Sequence, residues 1–181
     1  MTTLTHIAVG YLLADTLVRS GLVPTEMLPH VYAASIIFAN LPDLDAVVLG
    51  KIYDHRTKSP LHYPFTWWVI FVTATVLALA TNQNWWLLYI GLGVISIVIH
   101  FLMDTVAVTG GICWLAPFYY NEYSFIPFTK ATFTEVSPKY LKKMLVRYLK
   151  HPVMWLEVMI WISAFWTARH ATIYAGALEK F

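Results

Sequence analysis

From Tyr63 to Ile99 the chain carries no Asp, Glu, Lys, Arg or His, and the only polar interruption of note is "TNQN" at Thr81 to Asn84. Few folds accommodate such a run. Its two halves are each long enough to approach a bilayer's width, and the polar break between them reads as a turn, so the segment predicts two apolar helices joined as a membrane hairpin. Composition agrees with this reading: of 181 residues 59% are hydrophobic and 12% charged, too apolar for an ordinary soluble domain.

Shorter apolar stretches occur elsewhere, in "HIAVGYLLADTLV" from His6, "HVYAASIIFANLP" from His30 and "PVMWLEVMIWISAFWTA" from Pro152. The expected fold class is therefore an all-α integral membrane protein with about five transmembrane helices near 4–19, 29–50, 64–81, 84–107 and 152–172. Residues 1–181 are expected to form a single membrane domain. Trp67, Trp68, Trp85 and Trp86 fall at the ends of the hairpin, where indole rings favour the interface. "MTTLTH" lacks a basic leader, so the first helix is expected to be retained. The single Cys113 excludes an internal disulfide.

Against this background the carboxylates of "ANLPDLDAVVLG" need explaining. An ionised aspartate deep in lipid costs roughly 2.5–3.5 kcal/mol on insertion scales, so a chain keeps several only where solvent or a cation compensates them. With five crossings, each reversing the side on which the chain emerges, His6, Asp43, Asp45, His55, His62, His100 and Asp104 all reach the same membrane face. In "HFLMD", His100 and Asp104 are spaced i,i+4 and share one helix face, one turn apart. Imidazoles and carboxylates without a thiolate cluster suit Zn²⁺, with Mn²⁺ or another divalent ion as the alternative. Asp45 and His55 are open between ligation, support of a ligand and a structural role. His30, His151 and His170 read as ordinary interfacial histidines. Asp15 and Glu157, inside apolar stretches, have no specific account at this stage.

The same face collects Lys51, Arg56 and Lys58, then Lys130, Lys139, Lys142, Lys143, Arg147 and Lys150, which by the positive-inside rule makes it the expected cytoplasmic face. "SPKYLKKMLVRYLKH" begins with Ser137 as an N-cap and Pro138 at the first helical position. It predicts an interfacial amphipathic helix over 137–150, with leucines on one face and lysines on the other, before the last span. Such a helix suits anionic lipid. A net charge of +2, with the basic residues close to apolar spans, argues against nucleic acid as partner.

"LTHIAVG", "NLPDLD", "DHRTKSPLHYP", "HFLMD" and "GICWLAPF…EYSF" stand in an order that resembles the predicted membrane-bound, metal-dependent hydrolases, an inner-membrane family described as regulated by the repressor LexA. The resemblance covers roughly residues 1 to 128. That family in turn is similar to the zinc phospholipase C and single-strand nuclease superfamily. The resemblance implies phosphoester hydrolysis, with metal ligands His6, Asp43, His62, His100 and Asp104, and it makes the Met1 amine a further candidate ligand. The ligands that complete a third metal in that superfamily have no counterpart after Asp104, so one or two ions are expected.

The expectation drawn from all this is a zinc-dependent membrane hydrolase cleaving a phosphoester, with a phospholipid headgroup as candidate substrate. Asp45 is the candidate general base, Arg56 a phosphate clamp and His55 an assisting loop residue. The alternative is a non-enzymatic membrane protein whose metal site serves structure or transport. A carrier would spread ionisable groups along a path through the bilayer, whereas here they gather at one end. Peptidase chemistry lacks an HExxH helix.

Overall fold

The computed structural model describes residues 1–45, 59–83, 85–106, 111–125, 145–146 and 148–178. Five α-helices are present among them: α1 (Thr3–Arg19), α2 (Leu28–Asn40), α3 (Pro64–Ala80), α4 (Trp86–Thr105) and α5 (Pro152–Leu178). Short 3-10 turns at Thr25–Met27, Leu41–Asp43 and Pro60–His62 link them.

The start and stop of each helix follow from local chemistry. Arg19 closes the last turn of α1 and reaches back to Asp15, Nε to Oδ2 2.5 Å, before Gly21 at φ 73° reverses the chain. A cation there also suits the helix dipole. Pro29 and Pro64 sit in the first turns of α2 and α3, where a missing N–H costs nothing. Pro42, just beyond Asn40, stops α2, because proline has no N–H to donate to the carbonyl four residues back, that of Phe38.

α1 and α2 form an antiparallel hairpin held at two levels. Tyr32 Oη donates to Asp15 Oδ1 (3.1 Å), and Ser35 Oγ donates to the Gly10 carbonyl (2.8 Å). The backbones nearly touch at Gly10, where a Cβ would lie 2.9 Å from Ile36 Cα. α2 packs on α4, α3 on α4 and α5 on α1, so α4 and α1 carry the outer helices on either side of α2. Along α4 the buried positions Gly93, Ser96, Ile97, His100, Phe101 and Asp104 recur every three or four residues, one face running down to the polar end. Ile97 and Phe101 pack with Trp67 and Ile112 in an apolar cluster beside that end. The 111–125 segment closes over it: Ile112 and Tyr123 pair as an antiparallel bridge, Phe125 N–H donates to the Thr105 carbonyl (2.9 Å), and Trp114 Nε1 donates to Thr105 Oγ1 (2.9 Å).

The fold corrects the expectation of about five transmembrane helices. Among the described residues one helix, α4, is long and apolar enough to cross a membrane; α3 is apolar but shorter. The physical reason is length and polarity. At 1.5 Å per residue, the 13 residues of α2 span roughly 20 Å and the 17 of α1 and α3 roughly 26 Å, against a hydrocarbon core of about 30 Å. The predicted span 29–50 is cut at Asn40 by Pro42. α5 has the length, 27 residues, but Glu157, Arg169 and its tryptophans keep its hydropathy low. Most of the amphipathic helix predicted over 137–150 lies outside the described residues; at its end Leu145, Val146 and Leu149 are exposed.

Candidate metal centre

Three separate pieces of chain supply four side chains to one point. Asp43 comes from the 3-10 turn that Pro42 imposes, and His62 from the 3-10 turn Pro60–His62, itself started by Ser59 Oγ accepting from Leu61 N–H (3.3 Å). His100 and Asp104 come from successive turns of α4. One ligand atom from each of the four lies within 4.8 Å of all the others. His62 Nε2 is 3.5 Å from Asp43 Oδ1 and 3.8 Å from Asp104 Oδ2, while His100 Nε2 is 3.9 Å and 3.7 Å from the same two oxygens. A tetrahedral ion with bonds of about 2.05 Å holds its ligand atoms about 3.3 Å apart. The observed spacings need only a small contraction to meet that figure.

Both imidazoles are aimed by their other nitrogen. His62 Nδ1 donates to Asp45 Oδ2 at 2.8 Å, and His100 Nδ1 donates to the Ala39 carbonyl at 2.8 Å. Ring orientation is thereby set, and in each case Nε2 is turned toward the two aspartates, the arrangement by which metal-binding histidines are ordinarily held. His100 Nε2 is buried with no hydrogen-bond partner, as are both ring nitrogens of His6. Buried polar atoms are normally paired, and a cation held among His100 and the two aspartates would pair the ring's Nε2. Two nitrogens and two carboxylate oxygens form a donor set that suits a divalent metal ion.

His6 stands beside the four. Its ring stacks on His100 with centroids 4.0 Å apart, and its Nε2 lies 3.3 Å from Asp104 Oδ1 and 3.9 Å from Asp43 Oδ2. The Met1 amine also reaches Asp104 Oδ1, at 2.6 Å. Asp104 therefore turns one oxygen to His62 and His100 and the other to His6 and Met1. His62, His6 and Asp104 are fully buried, and Asp43, 18% exposed, is where the group meets the outside.

Burial works against a charge on His62, yet the neighbouring carboxylates of Asp104, Asp43 and Asp45 outweigh it and push its pKa up to about 10. Without a cation, a proton on His62 partly offsets the three carboxylates; a metal ion would take that place.

Of the residues named from sequence, the structure brings together His6, Asp43, His62, His100 and Asp104. Asp45 lies behind His62, on the side away from the shared point. His55 and Arg56 fall outside the described residues. Sequence reasoning missed the Ala39 carbonyl, which no side-chain pattern signals, and it left Glu157 unexplained although that residue is fully buried.

Among the described residues, fold and site together define an all-helical arrangement with one helix both long and apolar enough to cross a membrane and, at the end of that helix, a buried His/Asp group suited to a divalent ion. The chain belongs to the YdjM inner membrane protein family, whose model it matches over residues 1–175. It is thus an inner membrane protein by family. Neither a curated protein nor a solved structure matches it.

Proposed function

We propose that the protein is a zinc-dependent hydrolase of the inner membrane that cleaves a phosphoester, with a lipid headgroup as its substrate class and its metal centre on the cytoplasmic side. The observation that carries this reading is the convergence of Asp43, His62, His100 and Asp104 within 4.8 Å, with both imidazoles anchored through Nδ1. A divalent ion held there supplies Lewis acidity and acidifies water toward a pKa of about 7. Manganese is the alternative ion. Asp43, the partly exposed member, marks where a substrate approaches.

Asp104, with one oxygen toward each group of nitrogens, is suited to bridge to a second ion beside His6. Asp45, which stands behind His62, is assigned as the partner that holds that ring. Arg56 and His55, outside the described residues, are assigned to phosphate clamping and assistance on the strength of the sequence alone. The cytoplasmic side rests on the excess of Lys and Arg in the stretches that flank the site residues in sequence. A lipid is favoured by an apolar cavity of about 480 Å³ between α3 and α4, bounded by Trp67, Phe71, Ile97, Phe101 and Trp114. Phe101 also contacts both His62 and His100, with ring centroids 6.2 and 5.6 Å away, so an acyl chain in the cavity would leave its headgroup near the metal ligands. Anionic phospholipid is the partner this implies; nucleic acid is not.

A second reading has its own observation. Four ligands, three of them at most 1% exposed, describe a closed site, and closed four-coordinate sites are structural. The deciding experiment starts with metal content by elemental analysis of the detergent-purified protein and of an Asp104→Ala, His62→Ala variant shown to be folded. Near-stoichiometric zinc or manganese, lost in the variant, supports the centre; phosphoester turnover by the loaded protein separates hydrolase from structural site. A folded wild type that binds neither ion after being offered both refutes the hydrolase reading.

A further inference from the structure

Glu157 lies in α5 with its side chain fully buried, on a helix that also buries Val153 but exposes Trp155, Met159, Ile162, Phe165 and Trp166. Its carboxylate is not idle. It accepts from Thr2 Oγ1 at 2.6 Å, from Thr5 Oγ1 at 2.5 Å and from the Thr2 backbone N–H at 3.3 Å. One turn further along α5, Trp161 Nε1 donates to Thr5 Oγ1 at 3.0 Å. Four hydrogen bonds therefore join α5 to the first turn of α1.

The same end of the chain is also tied by the Met1 amine on Asp104 Oδ1 (2.6 Å) and by the Thr2–Thr5 hydroxyl bond (2.8 Å). Thr2 is the N-cap of α1, yet its hydroxyl makes no capping bond to the helix, being directed to Glu157 instead. A helix end without a side-chain cap frays; here a carboxylate from another helix takes the Thr2 N–H and both hydroxyls, and fixes where the turn lies. His6 is the next residue after Thr5, with its N–H on the Thr2 carbonyl at 3.2 Å. Its ring stacks on His100 and faces Asp104. Apolar packing could glue α1 to α5 at least as well as a buried carboxylate does. What the carboxylate adds is direction: its two oxygens accept only at set positions, so rotation or slippage of the first turn breaks bonds.

We propose that Glu157 is a positioning residue of the metal centre, clamping Thr2 and Thr5 so that His6 is held against Asp104 and His100. The inference rests on the metal-centre reading. The other end of α1 is tied separately, by Asp15 with Arg19 and Tyr32, and so offers an internal control.

The experiment compares the full-length, detergent-purified wild type with Glu157→Gln, Thr5→Val, Thr5→Ser and Asp15→Asn. Three quantities are read: apparent Kd for zinc by competition with a chromophoric chelator, the visible absorption spectrum of the Co²⁺-loaded protein, and Tm. Loss of an outer support of a metal site costs roughly ten- to a hundred-fold in affinity. Glu157→Gln and Thr5→Val should weaken zinc binding by that factor and alter the Co²⁺ spectrum, whereas Thr5→Ser, which keeps the hydroxyl, restores both. Asp15→Asn should lower Tm and leave affinity and spectrum as in wild type. Wild-type affinity and spectrum in folded Thr5→Val overturn the inference, as does an equal loss of affinity in Asp15→Asn, which would mark the effect as general destabilisation. If Glu157→Gln does not fold, the Thr5 pair decides. A wild type that binds no metal refutes the metal centre, and this inference with it; a wild type that binds beside unaffected Thr5→Val and Glu157→Gln refutes this inference alone.

Discussion

Replacing Asp45 separates two roles that the same carboxylate can have. Its Oδ2 accepts from His62 Nδ1 at 2.8 Å, and both side chains are buried, at 2% and 0% exposure. A charge-assisted hydrogen bond in such surroundings raises the basicity of the opposite nitrogen, Nε2, which points at Asp43 and Asp104. In Asp45→Asn the amide carbonyl can still accept, so the orientation of His62 survives while the charge is lost. Zinc affinity should fall toward the lower end of the range known for such partners, roughly tenfold or about 1.4 kcal/mol. Asp45→Ala removes both, leaving a buried N–H without a partner. Affinity should then fall nearer a hundred-fold, and the fold should lose about 1–3 kcal/mol. Chelator competition measures the first quantity and thermal unfolding the second. A graded series, wild type above Asn above Ala, is the expected result. Equal zinc affinity in all three folded proteins would refute the reasoning, and if phosphoester turnover vanished in Asp45→Asn at unchanged affinity, Asp45 would be the base instead.

Two further perturbations follow from the geometry. In the metal-free protein His62 has a folded pKa pushed up to about 10 against an ordinary 6.5, so the folded state binds the extra proton in that window. Its stabilising contribution is complete below about pH 6.5 and is lost as pH rises through about 10; Tm of chelator-treated protein should fall across this range, and zinc binding at pH 7 should release close to one proton from His62, read by calorimetry in buffers of different ionisation enthalpy. At Gly10 a methyl group would meet Ile36 Cα at 2.9 Å, the Ser35 carbonyl at 3.0 Å and Ala39 Cβ at 3.1 Å, all on α2. Gly10→Ala should therefore push α1 from α2, destabilise by about 1–3 kcal/mol as overpacking does, and weaken zinc binding because His6 and the Ala39 carbonyl that aims His100 move apart; an unchanged Tm would contradict the close approach.

The sequence by itself determined that the chain is apolar, that His100 and Asp104 share one helix face, and that nitrogen and oxygen ligands without thiolates are what it can offer a metal. These follow from residue type and helical period, which need no long-range information. It implied too many spans, because apolarity alone does not give helix length or the weight of a few polar residues: Pro42 ends α2 after 13 residues, α1 and α3 stop at 17, and α5 carries Glu157 and Arg169. Tertiary structure alone decided the rest. Which nitrogen of each imidazole faces the shared point depends on the Ala39 carbonyl, 61 positions from His100, and on Asp45, 17 positions from His62. Glu157 shows the same limit most sharply: a carboxylate in an apolar helix has no visible purpose until packing sets it against Thr2 and Thr5, more than 150 residues away, since a hydrogen bond depends on distance in space and not on distance along the chain.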